Sequence, residues 1–157
     1  MDHGLLFTPS SKLGLQAYTD ENWGTDVDDR RSTTRFCVFF GGNLISWSSR
    51  KQQVVSKSIA EAEYRSLAHA IVELIWLQAL LKELRVNVTN NSSAIAIATN
   101  PVLHLKFEHV ELDLFFFREK IIVGTLKVGH VPSQDQVADI LTKPLSTIFF
   151  NKFRDQL

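Results

Sequence analysis

One cysteine in 157 residues can neither close a disulfide within the chain nor build a thiolate metal site. Cys37 lies in the apolar run FCVFF and is expected to act as a small core hydrophobe, in keeping with a reducing compartment. An excess of one charge is missing too. Lys plus Arg (17) balance Asp plus Glu (17), so no global field points to a nucleic-acid partner and any such binding must come from local asymmetry. No apolar stretch has the length of a membrane span, and MDHGLLFTPS lacks a basic start followed by an apolar core. The expectation is an intracellular protein, of cytoplasm or nucleus, neither secreted nor bound to a membrane. Repeats and low-complexity linkers are absent, and nothing speaks for an oligomer, so a monomeric single domain is expected. A chain of this length buries roughly two thirds of the surface its unfolded form exposes.

What is present is acid where apolar residues belong. Asp20 ends the alternating run LGLQAYTD, which reads as a strand. Glu63 lies in the longest helical stretch, and Asp139 in the segment DQVADILTK, read as a helix introduced by Pro132 and Ser133. A carboxylate taken out of water must neutralise, find donors or bind a metal, because an uncompensated buried charge costs several kcal/mol or more. The trio is therefore a candidate metal site.

The long helix is expected over 59–84, with no proline or glycine inside it and a capping box in front, Ser58 with Glu61. Steps of 100° per residue place Ala70, Leu74 and Leu81 in line with Glu63, with Leu67 and Leu77 close by, so Glu63 points inward. Glu61 falls on the opposite side with Arg65. A carboxylate near a helix N-terminus is also favoured by the dipole, so an edge-of-core glutamate paired with a base remains open.

Before that helix, FCVFF and LISW flank Gly41, Gly42 and Asn43 and read as a hairpin. After it, RVNVT offers Val86 and Val88 as a short strand, SSAIAIA a brief helix capped by Asn90 or Asn91, 108–123 a further helix, and TLKVGHV a strand. The tail STIFFNKFRDQL has amphipathic spacing. This order implies a mixed sheet flanked by helices. Between Arg30 and Ala60 six basic residues occur without one acid. Such a run suits phosphate contacts and equally suits a solvated hairpin edge.

The segments AYTDENWGTDVDDRRST, FFGGNLISWSSRKQ, SIAEAEYRSLA, NPVLH, HVELD, FREK and VPSQDQVADILTKPL, in this order, resemble the ribonuclease H domain of copia-type retrotransposon Pol polyproteins. The resemblance implies a ribonuclease H-like fold: a mixed five-stranded sheet, strands 1–3 antiparallel and the rest parallel, flanked by helices. It further implies residues 1–12 as a connector from an upstream polymerase region, 13–144 as the domain and 145–157 as an amphipathic tail. The implied activity is hydrolysis of the RNA strand of RNA/DNA hybrids with two Mg²⁺ or Mn²⁺ ions. Two dications about 4 Å apart repel about four times as strongly as a unit pair, which is why such a site concentrates carboxylates.

On that resemblance Asp20, Glu63 and Asp139 are catalytic acids and metal ligands, and His130 is similar to a loop histidine that relays protons or helps product leave. Arg30, Arg31, Lys51 and Lys57 would contact hybrid phosphates. A reverse transcriptase domain supplied in trans is the implied protein partner of what reads as a detached fragment. The departures are specific. Where the family pattern carries a ligand Asp, this chain has Asn90, whose amide oxygen brings no charge. The connection from Leu84 to Asn90 is short, so the fourth strand is expected to be shortened. Glu108 stands for a Lys and Phe115 for a His. The expected outcome is an impaired ribonuclease H, with a non-cleaving, hybrid-binding remnant as the alternative.

Overall fold

The computed structural model describes residues 4–24, 26, 28–88, 94–97, 119, 124, 126–141 and 144–156. Five strands form one sheet: β1 (Leu15–Asn22), β2 (Thr33–Phe40), β3 (Asn43–Lys51), β4 (Ala94–Ile97) and β5 (Lys127–His130), in the order β3-β2-β1-β4-β5. β1, β2 and β3 are mutually antiparallel, while β4 runs parallel to β1 and β5 parallel to β4. Helix α1 (Ile59–Glu83) covers one face, and helix α2 (Thr147–Arg154) and two 3₁₀ turns, Ser133–Asp135 and Val137–Leu141, belong to the other.

Alternation along the strands makes two cores. Leu15 and Ala17 of β1 with Phe36 and Val38 of β2 pack against Tyr64, Leu67, Ile71 and Leu74 of α1. Cys37 and Phe39 of β2 turn the other way, onto Val137, Ala138 and Phe153, with Tyr18 of β1 beside them and edge-on to Phe39 at 5.8 Å. β2 is thus buried on both faces, which explains its nearly continuous apolar run. The β2–β3 turn is the expected hairpin, with Gly41 and Gly42 both at positive φ. A Cβ on Gly41 would press to 3.1 Å from the Ser10 Cβ, because the N-terminal segment lies against this turn, tied through Thr8 and Asn43.

α1 begins as the sequence predicts: Ser58 accepts from the Glu61 N–H, and the Glu61 carboxylate reaches back to the Lys57 N–H. Ala70, Leu74 and Leu77 on its inner face are buried. β1 runs two residues past its expected end at Asp20.

Two expectations are corrected. Val86 and Val88 belong to no strand; the fourth strand is Ala94–Ile97, in the segment read as a brief helix. The run AIAI alternates with period two and slots between β1 and β5, so sheet pairing outweighs alanine's helical preference. Four described residues form it. The segment around Asp139 is not an α-helix but two 3₁₀ turns interrupted at Gln136, whose extended ψ of 93° sends its side chain into the protein. The helix expected over 108–123 lies outside the described residues except for Glu119, which is helical, and Asn90, Glu108 and Phe115 also lie outside them.

Candidate active site

The register of β1 and β2 sets Asp20 directly opposite Arg35. Directly opposed residues share a face, here the face of Tyr18 and Cys37, onto which the turn bearing Asp139 also packs. Arg35 Nη2 lies 3.4 Å from Asp20 Oδ2 and Arg35 Nη1 lies 3.7 Å from Asp139 Oδ1. The guanidinium is fully buried, and the Asp20 and Asp139 side chains are only 10% and 8% exposed. One cation therefore sits between two of the three acids singled out from the sequence.

At such separations each attraction amounts to about 4 kcal/mol at an effective dielectric of 20, which offsets part of the several kcal/mol that desolvating each charge costs. Both distances are long for hydrogen bonds, and among the described residues none of the Arg35 side-chain nitrogens meets an acceptor in hydrogen-bonding geometry. The contact is Coulombic and sensitive to the loss of either partner.

The backbone under these side chains is clamped from both faces. From α1, the Ser66 hydroxyl lies 2.8 Å from Thr19 Oγ1 and 2.9 Å from the Asp20 carbonyl oxygen, while Thr19 Oγ1 donates to the Arg35 carbonyl at 3.0 Å. From the opposite face, buried Gln136 donates through Nε2 to the Thr19 carbonyl at 3.0 Å, and its own carbonyl accepts the Asp139 N–H at 3.1 Å. Gln136 thus joins the strand of Asp20 to the turn of Asp139. Ser66 and Gln136, like Arg35, were not marked by the sequence as site residues. Arg35 left one signal, a lone base directly before the apolar run of β2.

Glu63 is half-buried in α1, one turn before Ser66, and α1 packs on the face of the sheet opposite to that of Asp20 and Asp139. Among the described residues no three His, Cys, Asp or Glu side chains are arranged to hold a metal ion. Among the described residues the Asp20–Asp139 pair, with Arg35 between its members, does not fit a centre for two dications.

His130 is exposed at the end of β5; it pairs in register with Ile97, which pairs with Thr19, so it stands roughly 10 Å from β1 across two strand spacings. The basic residues divide. Arg30 and Lys57 are exposed, Arg31 is paired with Asp29 at 3.3 Å, and Lys51 bonds to Asp26 and Asp29. The Lys51 ammonium, helped by the backbone N–H groups of Asp29 and Asp28, holds the Asp26 carboxyl at about 2, and bonding to Asp26 and then Asp29 raises Lys51 in return. Acids of the β1–β2 connection therefore already engage two of the four bases expected to meet phosphate.

No protein-family model matches the chain. It is 42% identical over 159 residues to the retrovirus-related Pol polyprotein from transposon RE2 of Arabidopsis thaliana, an alignment covering 97% of this chain and 11% of that protein. To the corresponding polyprotein from transposon RE1 of the same plant it is 40% identical over 163 residues, again covering 11% of the relative. The chain thus spans about a ninth of these relatives. Among solved structures it is similar to LC11-RNase H1 in complex with an RNA/DNA hybrid, with a TM-score of 0.54, 15% identity, and coverage of 78% of this chain and 88% of that one. The fold is that of ribonuclease H domains.

Proposed function

We propose that this chain, a homologue of transposon Pol polyproteins with the fold of ribonuclease H, is a retroelement-derived ribonuclease H domain that recognises RNA/DNA hybrids and hydrolyses their RNA strand poorly. The observation that carries this reading is the convergence of Asp20 and Asp139, from distant parts of the sequence, on one buried guanidinium, that of Arg35. Asp20, Glu63 and Asp139 are proposed as the acids of the cleavage centre, with Asn90 standing where a fourth would be and His130 at its edge. In an intact centre of this kind Mg²⁺ or Mn²⁺ would supply a Lewis acid and an activated water, and the first reading requires Arg35 to yield its place between Asp20 and Asp139. In that role carboxylates suit hard dications, and an amide in place of one weakens the charge that gathers them.

Exposed Arg30 and Lys57 are the proposed phosphate contacts, while Arg31 and Lys51 would first have to leave Asp29 and Asp26. Residues 1–12 are proposed as a connector and 145–157 as an appended tail. A reverse transcriptase region in the same polyprotein, or supplied in trans, is the proposed protein partner of an otherwise monomeric, intracellular domain. A second reading, a hybrid-binding remnant that does not cleave, is favoured by the Arg35 guanidinium between the two aspartates.

A labelled RNA/DNA hybrid tests both readings. Salt-sensitive binding of the hybrid in preference to duplex DNA is expected, with slow Mn²⁺-dependent cleavage abolished by Asp20→Asn under the first reading and no cleavage under the second. Absence of any preference for the hybrid would refute both. Asn90→Asp should raise a residual rate if missing charge is the limiting defect.

A further inference from the structure

We propose that Arg35 is a built-in counter-cation that takes the electrostatic place of a divalent ion between Asp20 and Asp139 and closes this pair of acids to metal. The proposal rests on the reading of these two aspartates as members of the cleavage centre, and it selects the second, non-cleaving reading over slow Mn²⁺-dependent cleavage.

Three features of the structure support it. Arg35 cannot move aside cheaply, because its side chain is fully buried and swinging it away would require the surroundings to repack. Its guanidinium is fully buried with one nitrogen toward each aspartate, at 3.4 and 3.7 Å, so a bridging cation, which needs oxygens at roughly 2.1 Å, meets occupied space. A dication beside the guanidinium would also suffer twice the repulsion of a unit pair, while the local charge of two carboxylates is already halved.

The fold then needs no metal at this point, and the loss of activity expected from Asn90 has a second, independent cause. Restoring the acid alone would leave the guanidinium in place. Removing Arg35 would instead take this counter-charge from two buried carboxylates, a loss that a dication offsets.

Mn²⁺ binding followed by electron paramagnetic resonance, alongside thermal unfolding with and without Mn²⁺, tests this without reference to cleavage. The wild-type protein should show no Mn²⁺ binding that Asp20→Asn removes, and no Mn²⁺-dependent rise in Tm. Arg35→Ala should bind Mn²⁺ at least about tenfold more tightly, with a Tm that rises on adding the ion. Arg35→Lys, which keeps the charge, should remain insensitive, and Arg35→Ala combined with Asp20→Asn should lose the gain. If Arg35→Ala folds only when Mn²⁺ is present, the proposal is supported; if it does not fold at all, the neutral Arg35→Gln takes its place. Wild-type Mn²⁺ binding that disappears in Asp20→Asn, or a folded neutral variant that gains none, overturns the proposal. Hybrid binding by the same preparations separates the two levels: its absence from wild type refutes the ribonuclease H reading and leaves the Mn²⁺ result to decide on Arg35.

Discussion

Gln136 offers the sharpest test of how the candidate site is assembled. Its side chain is wholly buried, donates to the Thr19 carbonyl at 3.0 Å, and receives the Ala138 N–H on Oε1 at 3.4 Å. Gln136→Ala deletes the first bond and the weaker second one, and empties the space of an amide and a methylene. A net hydrogen bond is worth about 1 kcal/mol, and a buried partner left without it loses about 1–3 kcal/mol. Relaxation around an irregular turn is easier than inside a helix, so the expected total is about 2–4 kcal/mol rather than the sum of every maximum. For a chain of this size that corresponds to a fall in Tm of roughly 2–4 °C per kcal/mol.

Urea titration followed by fluorescence and by far-ultraviolet circular dichroism measures the change, with coincident transitions confirming two-state behaviour. Because Gln136 ties the turn of Asp139 to the strand of Asp20, coupling is also expected. The double variant Gln136→Ala with Asp139→Asn should be less destabilised than the two single losses added together. A loss under about 0.5 kcal/mol, or strict additivity, would refute the idea that this side chain holds the two aspartates in register.

Other outcomes follow from the same geometry. Ser58→Ala removes the α1 cap and should cost about 1 kcal/mol in urea titration, while Ser58→Asp should cost almost nothing. Asp26, held at about 2 in the folded chain against an ordinary 3.8, adds stability that is complete above the ordinary value and lost as pH falls through about 2. The difference between wild type and Asp26→Asn should therefore shrink from pH 5 downward and vanish at the lowest pH, as read from urea midpoints. The Cys37 thiol, pushed up to about 12 by burial, should react with a thiol reagent only as fast as the protein opens, and promptly in denaturant.

Much of the fold was legible because local signals agreed with one another. Ser58 and Glu61 announced the start of α1, the 3.6-residue period of Ala70, Leu74 and Leu77 announced its buried face, and Gly41 with Gly42 announced the β2–β3 turn. β4 was misread because Ala-Ile-Ala-Ile is too short to separate a period of two from a turn of helix; only pairing with β1 and β5 decides it. Gln136 broke the expected helix for a reason equally remote in sequence, a carbonyl 117 positions away.

By itself the chain determined which residues are candidates: periodicity, capping and the misplaced acids Asp20, Glu63 and Asp139 are written in neighbouring letters. Only the tertiary structure decided what those acids face. The register that puts Arg35 opposite Asp20 follows from pairing across a ten-residue connection, and the approach of Asp139 follows from packing of a distant turn. Electrostatics depends on distances through space, and no spacing along the chain encodes that a single guanidinium stands between two aspartates more than a hundred residues apart.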